Sequence, residues 1–137
     1  MDTTPALNDL LARYYGVFDA RSGQPSQLDA ILAPDWKNYS NDSAYADKPG
    51  FIALLAGIQQ AVPDLRWRIC EVLSVGERVV VRGEGSGRPT APLFGVPPSG
   101  RAFSIMSMDI HTIRDGRIQH TFHLEDWASA LRQISPA

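Results

Sequence analysis

Phe103 to Glu125 reads FSIMSMDIHTIRDGRIQHTFHLE, and the way this stretch folds back on itself decides the rest. Two runs rich in β-branched and aromatic residues flank Arg114-Asp115-Gly116-Arg117, so a β-hairpin is expected. The turn admits two registers. A two-residue loop pairs Arg114 with Arg117, whereas a three-residue loop with Gly116 in a bulge pairs Ile113 with Arg117. The first sets Met108 against His123 and Asp109 against Phe122, mixing polar and apolar residues on both faces. The second pairs Ser107 with His123, Asp109 with Thr121 and His111 with Gln119. Met106, Met108, Ile110, Phe122 and Leu124 then collect on the other face, with His120 among them. A half-buried hairpin needs this segregation, so the three-residue loop is expected.

Outward from the hairpin, the chain reads as helices first and strands afterwards. Leu7, Leu10, Leu11, Tyr14 and Phe18 recur at helical spacing behind a Thr4 cap and Pro5, with Gly23 as the stop. A second helix is expected from Pro25 to about Leu32. Polar and aromatic residues over 35–47 read as a loop with a short extended piece. A third helix runs from about Lys48 to Ala61, capped by Asp47, with Phe51, Leu54, Leu55 and Ile58 as its stripe. Leu65 to Val75 and Arg78 to Gly85 read as strands around Gly76-Glu77. Residues 86–101 form a Pro- and Gly-rich loop, and a short helix over Trp127 to Ile134 ends the chain. Helices followed by an antiparallel meander make an α+β fold: a curved sheet packed against three N-terminal helices, with a cavity between them.

Composition narrows the function classes. The 137 residues suit a single domain over 1–137, and 44% hydrophobic content is too high for disorder. With a net charge of −2 and no Lys/Arg run, no nucleic-acid partner is expected. The longest apolar run, Phe51 to Ile58, is far short of a membrane span, so no membrane partner is expected. The first residues lack the basic region of a secretory leader. Cys70 is the sole cysteine, which excludes an internal disulfide and fits a cytoplasmic setting.

The three histidines, His111, His120 and His123, all fall in the hairpin. The chosen register separates them. Ser107, Asp109, His111, Gln119, Thr121, His123 and Glu125 share one face, and His120 lies on the other. Asp109 and His123 become diagonal neighbours, close enough for a carboxylate and an imidazole to share protons near neutral pH. His111 is expected nearer the rim, on the order of 13 Å of strand from His123, so no metal site is expected. On the first helix Tyr14 follows the inward stripe and is a candidate for polarising a carbonyl. Trp36 and Tyr39 could border a ligand.

Several stretches then carry a resemblance. Val62-Pro63-Asp64-Leu65-Arg66 precedes Gly76-Glu77-Arg78-Val79-Val80-Val81-Arg82. Phe94-Gly95-Val96-Pro97-Pro98-Ser99-Gly100-Arg101 leads into a strand. Arg114-Asp115-Gly116-Arg117-Ile118 is followed by His123-Leu124-Glu125-Asp126-Trp127. In this order they resemble SnoaL-like polyketide cyclases of the nuclear-transport-factor-2-like superfamily, over roughly residues 5 to 134. The resemblance implies a cone-shaped α+β fold with a deep apolar pocket, no cofactor, and an acidic residue as general acid/base. It also implies a homodimer through the convex sheet face. Where the cyclases carry their acid/base aspartate this chain has His123, and where they carry a pocket histidine it has Asp109, so the pair looks exchanged. Asn38 matches a family asparagine at the pocket mouth, and Asp126 one that caps the terminal segment.

The expected function is a cyclase or isomerase that acts on a small polyketide-like or other apolar carbonyl substrate by cofactor-free aldol-type chemistry. His123 and Asp109 are the catalytic candidates, and Tyr14, Trp36, Asn38, Ser107 and Thr121 the pocket candidates. Two other readings stand beside it: an epoxide or ester hydrolase on the same fold, and a non-catalytic small-ligand module.

Overall fold

A computed structural model describes residues 3–136. Met1 and Asp2, which open the segment read for a leader, lie outside the described residues. Four α-helices, α1 (Pro5–Gly16), α2 (Leu28–Ile31), α3 (Lys48–Ala61) and α4 (Trp127–Ile134), accompany six strands. The strands are β1 (Lys37–Tyr39), β2 (Tyr45–Asp47), β3 (Arg66–Val75), β4 (Arg78–Gly87), β5 (Phe103–Arg114) and β6 (Arg117–Glu125). They form one open, curved sheet in the order β2-β1-β6-β5-β4-β3. The architecture is mixed α+β, as expected, but the meander of four gains two short strands from the segment read mainly as a loop. β1 joins β6 in parallel, so Asn38 stands beside Thr121.

The helix ends follow their chemistry. The Thr4 hydroxyl accepts from the Leu7 amide and Pro5 opens α1. Asp47 caps α3 through the Gly50 amide, and Asp126 caps α4 through Ser129. α1 ends at Gly16, well before Gly23. Gly23 instead lets the backbone pass close to α1, where a Cβ would lie 2.2 Å from the Val17 carbonyl oxygen. The second helix starts as a 3-10 turn at Pro25–Gln27 before becoming α2.

The hairpin register differs from expectation in an instructive way. Asp115 and Gly116 both have positive φ, 56° and 71°, and form a two-residue turn that pairs Arg114 with Arg117. Gln119 is then extra: Ile113 faces Ile118 but Thr112 faces His120. This one-residue bulge flips the parity back, so polar and apolar residues still segregate as the pattern demanded. The pairs themselves move by two positions. Asp109 lies directly opposite His123, not diagonal to it, and His111 lies opposite Thr121.

The core sits between the concave face and the helices. From Phe103 to His111 β5 alternates, with Phe103, Ile105, Ser107, Asp109 and His111 buried and Met106, Met108 and Ile110 exposed. α1 buries a wider stripe than a single row, including Leu10, Leu11, Tyr14 and Tyr15. β4 contributes glycines where bulk would block the interior: a Cβ on Gly85 would meet the Trp67 ring at 2.4 Å. The Trp67 ring therefore packs against Gly85, and its Nε1–H donates to Ser107 Oγ at 2.9 Å.

Candidate active site

The concave face holds a cavity of about 440 Å³ with mostly apolar walls. Phe51, Leu54, Leu55 and Ile58 from α3 form one side, and Trp67, Trp127 and Phe94 another. Polar groups concentrate on the wall formed by β6 and β1, where His123, Glu125 and Asn38 reach the space.

His123 is held between two carboxylates. Its Nδ1–H donates to Asp109 Oδ1 at 2.5 Å and its Nε2–H to Glu125 Oε1. Because carboxylates only accept, both ring nitrogens carry protons and the ring is an imidazolium. Burial alone pushes His123 down, but Glu125 and Asp109 outweigh it and raise it to about 10. Burial likewise opposes the Asp109 charge, yet His123, His111 and Tyr15 hold the carboxyl below its ordinary value.

Behind Asp109 runs a chain of donors with one direction. Tyr15 Oη donates to Asp109 Oδ2 at 2.5 Å. Its single proton is thereby used, so the contact of 2.8 Å to His111 must be a donation from His111 Nε2–H. His111 Nδ1 is then free to accept from Thr121 Oγ1 at 2.8 Å, and that hydroxyl oxygen accepts from Trp36 Nε1–H at 3.1 Å. This assigns His111 as the neutral Nε2–H tautomer, inferred from the network. Burial is the main cause that lowers it to about 4.

The structure thus brings Asp109 and His123 into contact and places His123 and Asn38 on the cavity wall. Asp109 lies behind that wall, 1% exposed. Tyr14, Trp36, Ser107 and Thr121, expected in the pocket, are buried in the layer behind it and do not line it. Each has a reason: Trp36 and Thr121 belong to the donor chain, Ser107 anchors Trp67, and Tyr14 packs edge-on to Tyr15 and His111. His111, expected near the rim, is fully buried. His111 also lies nearer His123 than expected, because its partner Thr121 is two residues from His123. Among the described residues no group of three His, Cys, Asp or Glu is arranged to hold a metal ion.

Two residues were missed. Glu125 shares a face with His123 by simple alternation, a signal present in the sequence, yet its contact with His123 gives it more importance than the spacing suggested. Tyr15, not Tyr14, carries the polar contact, because α1 is buried over a broad arc and the stripe does not single out one tyrosine.

The site can be compared with known proteins. The family model described as SnoaL-like polyketide cyclase matches residues 8–134. TsrD from Streptomyces laurentii is 25% identical, with a TM-score of 0.83 and 98% of each chain covered. IdmH from Streptomyces antibioticus, a proposed polyketide cyclase, is also 25% identical, with a TM-score of 0.80 over 95% of this chain and 98% of that one. A SnoaL-like polyketide cyclase from Agrobacterium tumefaciens C58 shares the fold at 18% identity, with a TM-score of 0.74 over 98% of this chain and all of the other. Comparison with the curated proteins gives no significant match.

Proposed function

The chain belongs to the SnoaL-like polyketide cyclase family, and from that membership we propose that it is an enzyme that closes or isomerises a small, apolar carbonyl substrate by acid/base catalysis. The observation that carries this reading is the His123–Glu125 pair on the polar wall of a mostly apolar cavity, with Asp109 behind it. A group beside the cavity that holds a proton and one that can take a proton are what enolate chemistry requires.

In the proposed step Glu125 removes the proton next to a substrate carbonyl. The electron pair of the C–H bond becomes the enolate, whose carbon attacks a second carbonyl and forms the new C–C bond. With Glu125 neutralised by the proton it has taken, the His123 Nε2–H passes from Glu125 to the oxygen that turns into an alkoxide. Glu125 then returns its proton to His123, so the pair ends as it began. Asp109 touches no substrate and is a positioning residue that orients the ring and keeps it charged. In this scheme the proton passes between His123 and Glu125 on the cavity wall, and Asp109 behind it supports the ring. Protein groups alone supply the chemistry in this scheme.

His123→Gln keeps a polar side chain of similar reach but cannot deliver a proton at neutral pH. It should lower kcat by about 100-fold or more with little change in KM. Unchanged turnover would remove His123 from the mechanism. Running the wild-type reaction in heavy-oxygen water separates ring closure from hydrolysis, because only hydrolysis leaves label beyond what carbonyl exchange gives in a control without enzyme.

The same reading includes a homodimer in the cytoplasm. Met106, Met108, Ile110 and Leu124 expose an apolar centre on the convex face. The ion pairs Arg82–Glu71 and Arg68–Glu84 lie along β3 and β4 beside it. An apolar centre with a charged border supports a second copy as its occupant.

A further inference from the structure

The cavity has an unequal supply of acceptors and donors. Glu125 brings a carboxylate to the wall, and its contact with His123 occupies one oxygen. Asn38 is 7% exposed and lines the same space, and its Oδ1 is buried without a hydrogen-bond partner. A buried acceptor left unpaired costs free energy until something donates to it. The two groups sit on neighbouring strands of one face, since Asn38 is in register with Thr121 and Glu125 is four residues further along β6. No Lys or Arg is among the lining residues.

Charge points the same way. Two carboxyl side chains, Asp109 and Glu125, flank the one cationic ring of His123, and His111 is neutral, so acidic groups outnumber cations in the cluster. The same cavity is lined by Phe18, Phe51, Trp67, Phe94 and Trp127, and aromatic ring faces favour a cation over an anion.

We propose that this cavity selects a ligand that combines a flat apolar body with a donor head, favouring a protonated amine over a hydroxyl and a hydroxyl over a carboxylate. Glu125 is the specificity-determining acceptor of the head group, and Asn38, on the order of 13 Å of strand away, lines the part of the cavity that holds the body. The proposal deepens the acid/base reading by naming the substrate class of the same site, but it concerns binding and needs no turnover. A substrate with a free carboxylate would set like charge against Glu125 in a space whose one lining cation, His123, is already held by two carboxylates. The reaction before this one must therefore leave such an acid masked or absent, or deliver an amine.

Calorimetric titration of the whole protein with three indole probes tests it: tryptamine, tryptophol and indole-3-acetate, which share one ring and differ in the head group. At neutral pH tryptamine should bind about tenfold or more tightly than indole-3-acetate, with tryptophol between them. Glu125→Gln should reduce the spread between amine and carboxylate to a few-fold. Asn38→Ala should weaken all three probes alike, since it meets the ring they share. Equal or tighter binding of indole-3-acetate overturns the proposal, and so does a failure of tryptamine to bind up to its solubility limit. If Glu125→Gln does not fold, the wild-type order alone decides. Loss of the order with a His123-dependent turnover intact would overturn only the specificity. The order without any turnover would leave the specificity standing and remove the acid/base reading.

Discussion

At the residue scale the two histidines on the concave face are held in opposite charge states by neighbours that a sequence cannot display. His123 faces two carboxylates and is raised to about 10; His111 faces two hydroxyls in full burial and is lowered to about 4. Each shift is also a statement about stability. An unfolded histidine titrates near its ordinary value of 6.5. Between that value and about 10 the folded chain holds a proton on His123 that the unfolded chain has lost, so stability falls as pH rises. Between it and about 4 the unfolded chain protonates where buried His111 does not, so stability falls as pH drops. Asp109, held low, adds a further loss at still lower pH. Urea midpoints across pH should therefore peak near neutrality, with each limb on the order of a few kcal/mol. His123→Gln should flatten the alkaline limb and His111→Gln the acid one. Limbs that survive these substitutions would show that other groups set the curve. The sequence brought Asp109 and His123 near each other but left His111 at the rim, because alternation tells which face a side chain takes and not how deep that face lies. Depth depends on α1, whose Tyr15 reaches across to meet it.

At the element scale the hairpin shows how much a pattern constrains and where it stops. Segregation of Met106, Met108 and Ile110 from Ser107, Asp109 and His111 fixed the faces correctly, since any register of the right parity satisfies it. It could not distinguish a three-residue loop from a two-residue turn followed by a bulge at Gln119, because both restore the same parity. Those solutions differ by a slide of two positions, enough to turn a diagonal Asp109–His123 pair into a direct one. The strands β1 and β2 were likewise hard to read, each being only three residues long. β4 carries a different kind of information. Gly83, Gly85 and Gly87 occupy alternate inward positions, and Gly85 exists for the ring of Trp67. Gly85→Ala should push the new methyl into that ring and cost about 1–3 kcal/mol in urea unfolding. Trp67→Leu in the Gly85→Ala background should recover part of the loss, a coupling that two independent sites would lack. Full additivity of the two changes would mean the glycine serves the backbone and not the tryptophan.

At the scale of the whole molecule the sheet has two faces with different uses. The concave face turns buried polar residues toward a cavity, and the same strands give the convex face a row of large apolar side chains. Leu124 is 68% exposed and Met106 54%, values that are costly for a lone chain when they fall side by side. The two uses are linked by strand alternation: His123 and Glu125 point inward only because Phe122 and Leu124 point outward. A second copy that covers the outer row would thus brace the strand that carries the site without adding a residue to it. Met108→Asp and Leu124→Asp place charge at the centre of this patch, where an interface core excludes it. Light scattering of the wild-type chain should give twice the chain mass of 15.0 kDa, and either variant should bring it to the single-chain value at micromolar concentration. Thermal unfolding should fall with dilution for the wild type and be independent of concentration for the variants. If the wild type is already a single chain at high micromolar concentration, a second copy is not what covers this face. If instead the variants remain paired, the contact lies elsewhere on the molecule, and β6 keeps its inward row through the fold of one chain alone.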